Sequence, residues 1–178
     1  MHPTTMAHTL TRTIALVVAM VVGSLGAYAQ QPMPSGIYTN AAQNTDGIHS
    51  AIKANVDSAP YLFRSVVRKG LLEICPAYRR ISIQQTDGEI VVTFDSEKPL
   101  HIPADGSAIK WTNEEGDHFD VSATWQDGRL IQVFKGRKSR RVNTFIFGAD
   151  HQALTLDVVI VSEQLKAPIN YELMFRHQ

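Results

Sequence analysis

Cysteine is almost missing from the chain: Cys75 stands alone among 178 residues. No intramolecular disulfide can form, so stability must come from apolar burial, even in an oxidising compartment. Two readings of the lone thiol stand, a small buried apolar side chain or a link between chains. An excess of charge of one sign is also lacking. The 17 Lys and Arg balance the 17 Asp and Glu, without the concentrated positive charge that holds nucleic acid, so no nucleic-acid partner is expected. Catalytic signatures are missing as well. There is no Gly-x-Ser-x-Gly, no His-Glu-x-x-His and no phosphate-cradling glycine loop, and His49, His101, His118, His151 and His177 follow no repeated spacing. No enzyme activity and no cofactor are therefore expected.

What is present begins with an export signal. Arg12 with no acid near it, the apolar run Ile14 to Val22, and Ala27-Tyr28-Ala29 form the three regions of a secretory signal peptide over residues 1–29, with cleavage between Ala29 and Gln30. A retained membrane anchor is the competing reading, but the run is well short of the roughly 20 residues that span a bilayer. The expected location is periplasmic or extracellular, with no transmembrane segment in the mature chain. Losing Arg12 leaves 16 basic residues against 17 acidic. The remaining length, roughly 149 residues, is enough to bury about two thirds of the unfolded surface.

Residues 30–44 are rich in Gln, Pro and Asn, and Pro32 and Pro34 oppose regular structure, so this stretch reads as a flexible lead-in to a single domain over 45–178. From Thr45 or Asp46, Ile48, Ala51, Ile52, Val56 and Ala59 recur at helical spacing and make one apolar stripe, with Asn44, Thr45 or Asp46 as cap. Pro60 interrupts it and opens a second helix, about Ala59 to Glu73, with Leu62, Val66, Val67, Leu71 and Ile74 on its apolar side. Arg64, Arg68, Lys69 and Arg79-Arg80 form a basic neighbourhood. It reads either as an anion or acidic-lipid contact or as the solvated side of the helix.

From Arg80 to Arg176 the apolar period falls to two, and Asp87-Gly88, Asp105-Gly106 and Asp127-Gly128 mark tight hairpin turns. About nine antiparallel strands follow one another with no crossover helix. Ile81, Ile83, Ile90, Val92, Phe94, Val121 and Ala123 alternate with residues that, Val91 apart, are polar, which gives early strands one dry face. Later strands carry apolar residues on both faces, as with Leu156 and Val158 against Val159 and Val161. A second apolar face needs cover, and the helices are expected to lie across the outside of the C-terminal strands. The expected fold is α+β: two N-terminal helices packed on an up-and-down meander that forms a strongly curved sheet, half-barrel or barrel.

With Ile81-Ser82-Ile83-Gln84-Gln85, Ala104-Asp105-Gly106, Ala123-Thr124-Trp125-Gln126-Asp127-Gly128 and the closing strand from Tyr171 to Arg176, the chain resembles the lipocalin-like, calycin-type group. The likeness covers roughly residues 80–176 and is nearest to small exported bacterial members with a helical lead and a meander. The Gly-x-Trp and the disulfides of true lipocalins are absent, so the resemblance is one of fold and does not fix function.

Candidate sites follow from this picture. The dry face is expected to hold a small apolar or amphipathic ligand, with Phe94, Trp111, Trp125, Phe134 and Phe175 as interior binding residues. The same side chains could instead fill a solid interior, and the chain would then be a non-catalytic structural or protein-interaction module of the cell envelope. His118, Asp120 and the acids Glu114 to Asp117 have metal-ligand chemistry but belong to a solvated turn, so no metal is assigned. Lys135 to Arg141 is a basic hairpin tip, either a contact for an anionic envelope surface or a soluble turn.

Overall fold

Alternating apolar residues dictate a sheet with one dry face, and in a computed structural model of the chain ten antiparallel strands form it. The structure describes residues 34–40 and 45–178, which belong to one unit, 32–178. The strands are β1 (Gly36–Thr39), β2 (Arg80–Thr86), β3 (Glu89–Phe94), β4 (Leu100–Pro103) and β5 (Ile109–Thr112). They continue as β6 (His118–Gln126), β7 (Arg129–Lys135), β8 (Ser139–Phe147), β9 (Ala153–Ser162) and β10 (Ile169–His177). Helices α1 (Asp46–Ser58) and α2 (Arg64–Glu73) lie between β1 and β2, joined by a 3₁₀ turn, Tyr61–Phe63.

The strand order is β4-β3-β2-β1-β10-β9-β8-β7-β6-β5, so a meander is closed on itself by β1, which pairs with both β2 and β10. Among the described residues, only β4 and β5 lack a second neighbour. Contacts across the interior show how far the sheet curls. Phe94 of β3 stacks on Phe145 of β8 at 6.2 Å, and Trp125 of β6 donates a hydrogen bond to Gln85 of β2 at 3.2 Å. The result is a nearly closed, helix-capped barrel. At the β6–β7 hairpin, Asp127 and Gly128 both adopt positive φ (51° and 74°), the two-residue turn whose twist matches the flanking strands.

The tenth strand is β1, inside the stretch read as a flexible lead-in. That reading is corrected here: Gly36–Thr39 bridges the two ends of the meander, and its Tyr38 ring is fully buried. A four-residue strand with a single inward apolar side chain carries no alternation to detect. The proposed signal peptide, its cleavage point and residues 30–33 and 41–44 of the lead-in lie outside the described residues.

The helices also differ from expectation. Ile48, Ile52 and Val56 of α1 join the same apolar cluster as the inward residues of the strands, so the helix caps the interior instead of lying across the outer face. Asn55 fixes it there, donating to the Ala167 carbonyl (3.0 Å) and accepting from the Ala167 amide (3.1 Å) in the β9–β10 turn. The outward Val142, Ile146 and Val159 are half-buried, while Val161 and Met174 are exposed. Thr45 occupies the N-cap of α1 without a side-chain capping bond. Helix α2 buries only Leu71 fully, with Val67 and Leu72 packed partly against the core, and its predicted apolar residues Leu62, Val66 and Ile74 face solvent.

Candidate binding site inside the barrel

Register places the inward side chains in tiers. Phe134, Arg141, Ile160 and Ile169 share one tier across β7 to β10, and Gln132, Asn143, Val158 and Tyr171 share the next. Three polar side chains, Arg141, Asn143 and Gln132, therefore project into an otherwise apolar space. They form a chain: Arg141 Nε donates to Asn143 Oδ1 at 2.8 Å, and Asn143 Nδ2 donates to Gln132 Oε1 at 2.9 Å.

The chain leaves donors over. Arg141 Nη2, Gln132 Nε2 and the Tyr171 hydroxyl are buried and meet no protein partner, as is the Tyr38 hydroxyl elsewhere in the interior. Arg141 makes no salt bridge among the described residues. Its guanidinium lies 5.6 Å from the centroid of the Tyr78 ring, a contact that offsets part of the charge. Burial raises the Tyr171 and Tyr78 phenols above their ordinary range and pushes the Cys75 thiol up to about 11, with Arg141 pulling each the other way. At neutral pH these neighbours are thus protonated and uncharged. An unmet buried donor costs about 1–3 kcal/mol, and more on a charged group, so this cluster has donors left over for a further acceptor.

The five residues expected to line a pocket all face inward, but they do not form one site. Phe134 is buried beside Arg141 in register, and Trp111 meets its ring edge-on at 5.6 Å. Phe119 completes that aromatic trio, 5.8 Å from Trp111 and 6.5 Å from Phe134. Trp111 and Phe119 are half-buried and sit on β5 and β6, at the edge that has no strand beyond it. Phe94 stacks at 4.3 Å on Tyr78, the ring beside Arg141. Trp125 stacks on Phe147 at 5.6 Å, and Phe175 is buried opposite Leu154. Thus Trp111 and Phe134 adjoin the polar cluster, whereas Trp125 and Phe175 fill the interior away from it.

Arg141, Asn143, Gln132 and Tyr171 carry the chemistry that sequence reasoning missed. A signal existed: Arg141 and Asn143 share the parity of Phe145 and Phe147, and Gln132 sits between Leu130 and Phe134. Each is a polar residue at an apolar-parity position. Counting Arg141 with the basic run from Lys135 hid it.

The other charged features stay outside. His118 Nδ1 lies 2.8 Å from Thr112 Oγ1, and Asp120 pairs with Lys110 at 2.5 Å. No three metal-ligating side chains converge among the described residues. Two solvent-open grooves flank the barrel, one of about 360 Å³ between Asn55, Val67, Leu71 and the β9–β10 turn, and one of about 750 Å³ along the basic β7–β8 hairpin. No described helix is long and apolar enough to cross a membrane.

Solved structures share this architecture. An abundant heat soluble (SAHS) protein from Ramazzottius varieornatus superposes with a TM-score of 0.55 at 9% identity, covering 81% of this chain and 94% of that one. Lipid binding protein 8 of Caenorhabditis elegans, in its apo form, superposes with a TM-score of 0.51 at 10% identity, again over 81% and 94%. At such identities the likeness establishes the fold, a lipocalin-like, calycin-type barrel, and nothing finer. No protein-family profile matches the chain, and no curated protein does either.

Proposed function

We propose that this is an exported, non-catalytic binder of a small amphipathic acid, released to the periplasm or the extracellular space after cleavage between Ala29 and Gln30. The observation that carries the reading is the Arg141–Asn143–Gln132 chain, in which Arg141 Nη2 and Gln132 Nε2 are buried and unmet. A carboxylate supplies acceptors to both, and the Tyr171 hydroxyl offers a further donor across the interior. The apolar body of the ligand lies along Phe134, Trp111 and Phe119, reaching the interior at the unpaired β4 and β5 edges. Phe94, Trp125 and Phe175 then serve as walls and filling. The fold supports the reading, since lipid binding protein 8 of Caenorhabditis elegans shares it.

A second reading, a non-catalytic interaction module of the cell envelope, draws on a different observation. Most inward side chains are inaccessible to solvent, while Tyr61, Leu62, Phe63 and Val66 are exposed outside. Native mass spectrometry of protein purified from its own host separates the two. The binder reading expects a co-purified small molecule carrying an acidic group. Protein that emerges without one, and takes up none when offered a medium-chain fatty acid, contradicts it.

A further inference from the structure

The apolar side chains displayed by the helical cap have no use in the interior site. Tyr61 is 83% exposed, Leu62 83%, Phe63 59% and Val66 68%. They stand together, because Tyr61–Phe63 is the 3₁₀ turn that leads directly into α2. Successive side chains of a 3₁₀ turn point about 120° apart, so the three form a convex knob with apolar surface on every side. A fluid surface can enclose such a knob on every side.

Charge beside the knob indicates which fluid surface. Arg68 and Lys69 follow within α2, and both are exposed and without a salt bridge among the described residues. Arg64, by contrast, is held to the protein, its guanidinium donating to the carbonyls of Ala59 (3.2 Å) and Asp57 (3.1 Å). It ties the start of α2 to the end of α1 and makes the knob a fixed feature. The helices carry three acids, Asp46, Asp57 and Glu73; Asp57 is paired with Lys53 and lies within electrostatic reach of Arg64 and Arg68, with which it makes no salt bridge. Aromatic and aliphatic side chains flanked by free cations match the boundary of an anionic bilayer, where rings sit at the headgroup level and cations meet lipid phosphates.

We infer that the Tyr61–Val66 knob, with Arg68 and Lys69, docks the protein on the surface of an anionic lipid bilayer. The knob inserts at the headgroup boundary and the barrel stays in water. This inference goes beyond the binder reading and rests on different residues.

Flotation of the purified protein with phosphatidylcholine vesicles, with and without phosphatidylglycerol, tests it. Binding is expected to be at least about tenfold tighter when phosphatidylglycerol is present and to weaken as salt rises. The Leu62→Ser/Phe63→Ser variant should lose about tenfold or more, and Arg68→Glu/Lys69→Glu should remove the preference for anionic lipid. Both variants alter exposed side chains, so circular dichroism and interior acid binding should be unchanged. Absence of binding to either vesicle, or equal binding to both, overturns the inference. So does a Leu62→Ser/Phe63→Ser variant that floats like the parent. Sedimentation showing that this variant dissociates a dimer, with no vesicle binding in the parent, would instead assign the knob to a second copy of the chain.

Discussion

Arg141 sits where a solvated cation would be least expected, between two strands that pair Phe134 against it and with Ile160 on its other side. Its neighbours Cys75, Tyr78 and Tyr171 are kept uncharged because burial raises their ionisation above the ordinary range. That has a consequence for stability. The unfolded thiol ionises near its ordinary value of 9, but in the folded protein it holds its proton to about 11. Between those values the unfolded chain binds fewer protons, so stability falls as pH rises. A shift of that size corresponds to at most about 2–3 kcal/mol from Cys75, and Tyr171 and Tyr78 act in the same direction. Denaturant unfolding between pH 8 and pH 11 should show a steady loss, and Cys75 should react with a thiol reagent only at the rate of opening. Rapid labelling of native protein at pH 8 would contradict this.

Among the elements, α1 depends most on a single side chain. Asn55 makes both bonds that tie the helix to the β9–β10 turn, and the residue is itself buried. Asn55→Ala should cost about 2 kcal/mol or more, because it leaves the Ala167 amide and carbonyl without their partner. Hydrogen exchange in α1 should quicken while the strands stay protected; uniform protection would mean that apolar packing alone holds the helix. The start of α2 should behave oppositely, since polar substitution at Leu62 or Phe63 removes no buried contact. Helical periodicity located both helices, but it did not say which stripe would be buried. The spacing of Leu62, Val66 and Ile74 suits a core face as well as a docking face, and only the tertiary path exposes them. Strand β1 escaped notice because its role is to bridge β2 and β10, a property of the sheet that no four-residue pattern encodes.

At the scale of the whole molecule, the meander was legible because the Asp-Gly turns and the alternation of the early strands from Ile81 onward agree on one dry face. The interior site was legible only in part. Phe134 and Trp111 announce themselves as apolar, whereas Arg141 looks from sequence like the end of a basic hairpin, and its inward direction depends on register set by β7 and β9. The proposed export predicts that amino-terminal sequencing of protein recovered outside the cytoplasm begins at Gln30; recovery of intact Met1 from that fraction would refute cleavage. The central claim is that the buried polar chain receives an acid head group. Calorimetric titration of a medium-chain fatty acid and of the alcohol of equal length, into the parent and into Arg141→Met, tests it most directly. The acid should bind the parent at least about tenfold more tightly than the alcohol, and Arg141→Met should abolish that difference. Equal affinity for acid and alcohol in the parent, or acid binding left intact by Arg141→Met, would contradict it.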